Sequence, residues 1–260
     1  MALSQKQKEG ITYLLENTIR SKLKRYTRES KSMPFLSLLI QDDEKVAAYS
    51  FLQSIATTLG MSLYEQMSVI MASENSDECA RNVKVGGTIS TTQKTVISKI
   101  VNSLREGTRA PSIKKEMEEV LKASSSMGKT QKDGNIADFY MKRKGIEYYF
   151  EIKTVKPNID VFAKSKTKLL EWVARKNKKI MPFLAFPYNP YAPKPYSRFT
   201  IQNMMDAPND FVVGDEYWDM IGGKGAYIEL LRLIEITGKK FHKDIEDKIK
   251  EVAQKKISKI

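Results

Sequence analysis

The sequence predicts a mixed α/β domain, a small mixed sheet flanked by helices with helical additions at both ends. Three observations predict it. Apolar residues recur at helical spacing through most of residues 1–123. The period then changes to two over 135–154. An amphipathic helix and a short apolar strand follow directly, over 158–187. The whole of 1–260 reads as one domain: a mainly helical part over 1–123, an α/β core over 124–187, and a loop with C-terminal helices over 188–260.

Residues 1–31 carry eight Lys or Arg against Glu9, Glu16 and Glu29. Ile11, Leu14, Leu15, Ile19 and Leu23 give them a basic amphipathic helix, which Pro34 interrupts. Residues 42–74 are strongly helical, with Asp42, Asp43 and Glu44 at the positive end of the dipole and Gly60 as a break. Residues 77–90 read as a loop or a short strand. Val96, Ile97, Ile100, Val101 and Leu104 make a helix ending at Gly107. Ser112 caps a short helix to Lys122, but Lys115 stands where a capping box needs an acid or amide. Residues 123–135 are small and polar, a loop. After the hairpin at 135–154 come a helix over 158–177, carrying Val161, Leu169, Leu170, Trp172 and Val173, and a strand over 179–187. Six of the nine prolines fall between Pro182 and Pro208, which reads as a structured loop. A helix over 227–236 closes at Gly238, and the charged tail is a further helix.

Composition excludes several classes of function. His242 and Cys79 are the single histidine and cysteine, so neither a His/Cys zinc site nor an internal disulfide can be built. A Ser/His triad would have to use His242, and no Gly-x-Ser-x-Gly elbow accompanies it. The N-terminus lacks the apolar core of a secretory signal, and the longest apolar run, 180–188, holds two prolines and is too short to span a bilayer. A cytoplasmic protein with no membrane partner is expected. Lys and Arg number 44 against 31 acids, and the resulting charge of +13 points to a polyanionic partner, nucleic acid first.

The chemistry sits in residues 136–153. A two-residue turn at Lys144-Gly145 makes cross-strand partners sum to 289. Asp138 then faces Glu151, Tyr140 faces Tyr149 and Lys142 faces Glu147, while Lys153 shares the face of Glu151. The opposite face, with Ala137, Phe139, Met141, Ile146, Tyr148, Phe150 and Ile152, is the core face. Lys at the first turn position also leaves a longer, bulged loop open, which would shift this register. Two opposed carboxylates suit a hard cation such as Mg²⁺, and an adjacent ammonium suits charge developing on phosphorus, so the pattern points to a metal-dependent phosphodiesterase. An acid followed two positions later by Lys occurs four times, at Glu29, Asp43, Glu151 and Glu246. Glu151–Lys153 alone sits on a strand opposite a second carboxylate. The competing reading is an exposed hairpin face with cross-strand ion pairs.

Asp138, then Glu151-Ile152-Lys153 on the next strand, followed by a helix and a strand, resembles the PD-(D/E)XK nuclease superfamily, with Ala137 in place of the leading proline. More closely, the chain resembles TdeIII-like type II restriction endonucleases over roughly residues 60–240. The matching stretches are Gly134-Asn-Ile-Ala-Asp138, Glu151-Ile-Lys-Thr-Val-Lys-Pro-Asn158, Pro187-Tyr-Asn-Pro-Tyr191 and residues 213–223. The resemblance implies a restriction-endonuclease-like core. It implies Mg²⁺-dependent cleavage of double-stranded DNA at a short, GGNCC-like palindrome by a homodimer, in a prokaryotic cell that pairs it with a cognate methyltransferase. Asp138, Glu151 and the Ile152 carbonyl would hold the metal, with Lys153 catalytic. Glu65 is a further candidate, because nucleases of this superfamily often supply a Glu from a helix before the core; a solvated helix residue is the competing reading. Asp133 ranks below it.

For DNA contact, residues 164–179 set Lys164, Lys166, Lys168, Arg175, Lys176, Lys178 and Lys179 against Glu171 alone. The loop over 188–198 adds Asn189, Lys194 and Arg198 as candidates for base edges, its tyrosines either reading bases or packing the loop on the fold. His242-Lys-Asp244 lacks the lysine two places after His of phospholipase-D-type nucleases, so His242 is expected to be solvated and Cys79 idle or structural. A structure- or repair-specific nuclease and a non-catalytic basic DNA-binding protein are the alternatives.

Overall fold

The structure is a computed structural model that describes residues 3–26, 34–124, 135–153, 156–197 and 203–254. The chain divides into two compact units, one of Leu3–Met67 with Ile228–Ile260, the other of Ser68–Tyr227.

The second unit is built on a five-stranded mixed sheet in the order β1(Glu78–Val85), β2(Asn135–Arg143), β3(Ile146–Ile152), β4(Met181–Phe186), β5(Phe211–Val213). β1–β2 and β2–β3 pair antiparallel, and β3–β4 and β4–β5 pair parallel. The hairpin forms as its alternation dictates. Lys144 and Gly145 take φ of 51° and 77°, the two left-handed positions of a type I′ turn, and Phe139↔Phe150, Tyr140↔Tyr149 and Lys142↔Glu147 pair in the expected register. The parallel step from β3 to β4 needs a crossover, and α7(Ile159–Lys176) supplies it. Asn158 caps α7 by accepting from the Val161 N–H, and Asn177 ends it in the left-handed region.

Both faces of the hairpin are covered. Phe150 stacks on Phe139 and Phe183, and Tyr217 of α8(Asp215–Gly222) packs on it. On the other face Tyr140 and Tyr149 are buried with Trp172 of α7, so the face that carries Asp138 and Glu151 is itself half core. α5(Thr91–Arg105) and α6(Ile113–Lys122) join that layer through Ile97, Ile100, Leu104, Ile113 and Val120. A complete capping box, Ser90 with Gln93, starts α5.

Several boundaries differ from the sequence reading. Residues 78–85 form a full edge strand, half-exposed and polar, which hid its alternation. Ser112 precedes α6 but its side chain does not cap; its N–H donates to Glu116, and the Ile113 N–H is taken by Asp206 from far along the chain. The loop residues 125–134, with Asp133, lie outside the described residues.

The first unit is helical: α1(Gln5–Arg25), α2(Pro34–Ile40), α3(Asp43–Thr58), a π-helical turn at Leu59–Leu63, the start of α4(Tyr64–Ala72) and most of α9(Ala226–Gln254). Gly60 lies in the π-helical turn, so the expected break is a local rewinding of the helix. Its core includes Tyr26, Ala47, Phe51 and Val252. Gly238 does not end a helix: α9 runs through it as one 29-residue helix, since a lone glycine costs only about 1 kcal/mol against long flanking apolar faces. No helix among the described residues is long and apolar enough to cross a membrane.

Candidate active site

β2 and β3 carry Asp138 and Glu151 on the face covered by α7. Asp138 Oδ2 accepts from the Ile152 N–H at 2.7 Å, which ties the two strand ends together. Lys153 Nζ reaches both carboxylates, 2.6 Å from Glu151 Oε1 and 3.8 Å from Asp138 Oδ2. The sequence placed these three side chains on one face, and the structure brings them together. Strand β1 adds a feature the sequence did not signal: between the pairs Arg81↔Phe139 and Val83↔Ala137, beside Asp138, Asn82 adopts a left-handed φ of 55°. Asn tolerates that conformation better than most residues.

Burial, and then the neighbouring Glu151, push the Asp138 carboxyl above its ordinary value, against Lys153, Lys168 and the Ile152 N–H, which lower it. Two crowded carboxylates of this kind favour a cation between them. Among the described residues no group of three or more His, Cys, Asp or Glu converges. The donor set is therefore two carboxylates on adjacent strand ends. That set fits a hard divalent cation that keeps several waters and takes its remaining ligands from phosphate, rather than one held in an all-protein cage.

The basic helix proves heterogeneous. Lys164 is exposed, as a phosphate contact requires. Lys166 is fully buried between Glu116, at 2.6 Å, and Asp210, at 2.5 Å, so it belongs to the core and not to a DNA-facing surface. Burial lowers the proton affinity of Lys166, but Asp210 and Glu116 outweigh it and hold the ammonium above its ordinary pKa. Arg175 is likewise buried, donating to the Gly87 carbonyl. A Cβ on Gly87 would lie 2.0 Å from the Arg175 carbonyl oxygen, so glycine is required there. Lys176 pairs with Glu147 at 3.3 Å and lies over the Tyr149 ring. Lys178 shares Glu147, at 3.0 Å. Lys168, expected on a phosphate track, instead contacts Glu151 Oε2 and lies over the Trp172 ring, 5.5 Å from its centroid. It is the site residue that sequence reasoning put to another use. The available signal was its place one turn before Trp172, on the side of α7 that covers the hairpin.

In the proline-rich loop, Asn189 donates to the Lys194 carbonyl and accepts from the Tyr191 N–H, so its amide closes the loop. Tyr196 packs on Phe186 and Phe211, and Tyr191 on Tyr196; these tyrosines anchor the loop to the sheet. Lys194 is exposed. Arg198 lies outside the described residues. Glu65 is half-buried in the first turn of α4, in the first unit. His242 is 72% exposed beside Glu246, and Cys79 is a free thiol donating weakly to the Val69 carbonyl.

Comparison with known proteins adds an independent line. The type II restriction enzyme HgiCII of Herpetosiphon aurantiacus is 28% identical over 207 residues, which is 76% of this chain and 75% of that enzyme. HgiEI of the same organism is 27% identical over 196 residues, 72% of this chain and 71% of that protein. The type II restriction enzyme MjaII of Methanocaldococcus jannaschii is 26% identical over 205 residues, 71% of this chain, which spans about half, 54%, of that enzyme's length. No solved structure matches. The model of the type II restriction endonuclease family HinfI matches residues 3–238. With a mixed sheet that sets two carboxylates and a lysine side by side, and a family match over nearly its whole length, the chain belongs to the HinfI family of type II restriction endonucleases.

Proposed function

We propose that this chain is a PD-(D/E)XK-type restriction endonuclease that hydrolyses phosphodiester bonds in double-stranded DNA at a short palindrome, with Mg²⁺ as its cofactor. The observation that carries the reading is Lys153 within reach of both Asp138 and Glu151 on neighbouring strands. Asp138, Glu151 and the Ile152 carbonyl would hold the cation, which supplies Lewis-acid polarisation of the phosphoryl oxygen and an acidified water. Lys153 orients that water or stabilises the charge developing on phosphorus. Glu65 is proposed as a further carboxylate of the reaction.

The target class we favour is GGNCC-like. Lys164 and Lys176 are proposed as phosphate contacts. A cleft of about 570 Å³ lined by Asn189, Lys194, Tyr196, Asp206, Asp215 and Glu216 is where we place base contacts. A palindrome presents two identical half-sites, so we propose a two-fold homodimer. It acts in the cytoplasm of a prokaryotic cell, where a cognate methyltransferase protects the host sites.

Digestion of phage DNA in Mg²⁺, with the cut ends mapped, tests this. A discrete ladder with one sequence at every end is expected. A smear of random ends would favour a structure- or repair-specific nuclease, and intact DNA at all divalent concentrations would leave a binding protein.

A further inference from the structure

Glu151 is the most deeply placed charge of the candidate site, its side chain 5% exposed, and each of its oxygens meets an ammonium: Lys153 on Oε1 at 2.6 Å and Lys168 on Oε2. The two lysines differ in origin and reach. Lys153 follows Glu151 by two residues on the chain and stands 3.8 Å from Asp138 as well. Lys168 comes from the crossover helix, and of the two carboxylates it contacts Glu151. Its side chain is 23% exposed and lies over Trp172, one helical turn onward.

An ammonium and a divalent cation on the same carboxylate oxygen would stand a few ångströms apart. In so buried a place their repulsion is severe. A cation seated between Asp138 and Glu151 therefore requires an ammonium to give way. Lys168 touches only Glu151 of the pair and already lies over the indole, whereas Lys153 bridges both carboxylates.

Resting on the metal-dependent reading above, we infer that Lys168 is the counter-ion of the metal-free site: it occupies the Glu151 Oε2 position that a divalent cation takes, is displaced when the cation arrives, and then offers its ammonium to a DNA phosphate. Cation and DNA binding are thereby coupled through one side chain. The cation frees a positive charge that the nucleic acid then uses, and by linkage DNA tightens the cation. A lysine that merely tracks the backbone would contact phosphate with or without metal.

Calorimetric titration of Mn²⁺ into the full chain without DNA tests the first half. Glu151→Gln abolishing the binding heat identifies the site. Lys168→Met, with Lys168→Gln as a second neutral variant, is then expected to tighten Mn²⁺ about tenfold, between the effects of an exposed and a buried ion pair. Lys168→Arg stays within about twofold of the parent, because it restores the competing charge. Fluorescence anisotropy on a random-sequence duplex tests the second half. Without divalent ions, Lys168→Met leaves the slope of log affinity against log salt unchanged. In Ca²⁺ it makes the slope shallower by about 0.9, one phosphate contact. Unchanged or weaker Mn²⁺ affinity in the neutral variants overturns the inference, and so does an equal change of slope without metal. If neither the parent chain nor Lys168→Met binds Mn²⁺, or if Glu151→Gln still binds it, the metal reading of this site fails, and the inference with it.

Discussion

Lys166 and Lys168 stand two residues apart on α7, each against carboxylates, and the two clusters are opposites in design. Around Lys166, one ammonium serves Glu116 and Asp210, and all three side chains are 0% exposed. Around Lys168, two ammoniums serve Glu151 and Asp138, and Lys153 is 38% exposed. The first cluster is closed and joins α6, α7 and the segment before β5. The second opens to solvent and has charge to rearrange. A buried ion set is costly to break and slow to exchange partners, so it organises a core. A half-open one can trade an ammonium for a metal ion or a phosphate. The difference is set by the face of the helix, not by residue type.

Breaking the open cluster should have the largest effect. Asp138→Asn and Glu151→Gln should each lower cleavage in Mg²⁺ by about 10³-fold or more, because a metal-held site supplies several kcal/mol of transition-state stabilisation. Duplex binding should stay equal or tighten, since each change removes carboxylate repulsion against phosphate. Cleavage within tenfold of the parent chain for either variant would remove these residues from the chemistry.

The closed cluster should respond in stability. Lys166→Met leaves two buried carboxylates without their cation and should cost about 3–5 kcal/mol in urea unfolding. The variant's DNA-binding salt slope, measured below its unfolding range, should match the parent chain, because Lys166 does not reach solvent. A shallower slope would put Lys166 back on the DNA surface.

The same contrast can be sharpened with pH. Lys166 has a pKa raised above 10.5 in the folded chain, so its stabilising contribution is complete below pH 10.5 and is lost as pH climbs from there through the raised folded value. The stability gap between the parent chain and Lys166→Met should therefore narrow at pH 11 relative to pH 9. An unchanged gap would mean that the Lys166 charge is not what the cluster contributes.

The smallest expected effect belongs to Lys164, the exposed member of the run. Lys164→Ala should make the salt slope shallower by about 0.9 and weaken cognate and random duplex alike, with stability within about 0.5 kcal/mol. If the slope does not move, the phosphate track lies elsewhere, and the basic α1 around Lys22, Lys24 and Arg25 is the next surface to test.

The sequence by itself determined what depends on local backbone geometry. Alternation over 136–152 and a glycine at the second turn position set the hairpin register, and the register put Asp138, Glu151 and Lys153 on one face. The asparagines at 158 and 177 bounded α7 for the same kind of reason, since caps are satisfied within a few residues. Tertiary structure decided everything that depends on partners far along the chain. Whether a lysine of α7 faces core, site or solvent turns on which side of the helix lies on the sheet. It also turns on the arrival of Glu116 and Asp210, 50 and 44 residues away, to bury Lys166. Ser112 lost its capping role to Asp206 for that reason, and β1 was hidden because an edge strand with a polar outer face carries little alternation. Gly238 was read as a stop because propensity is local, whereas α9 continues because its apolar flank is buried over a length that propensity does not see. Period and turn chemistry fix neighbours on one strand pair; burial and charge compensation, which act across the whole chain, assign each charge its role.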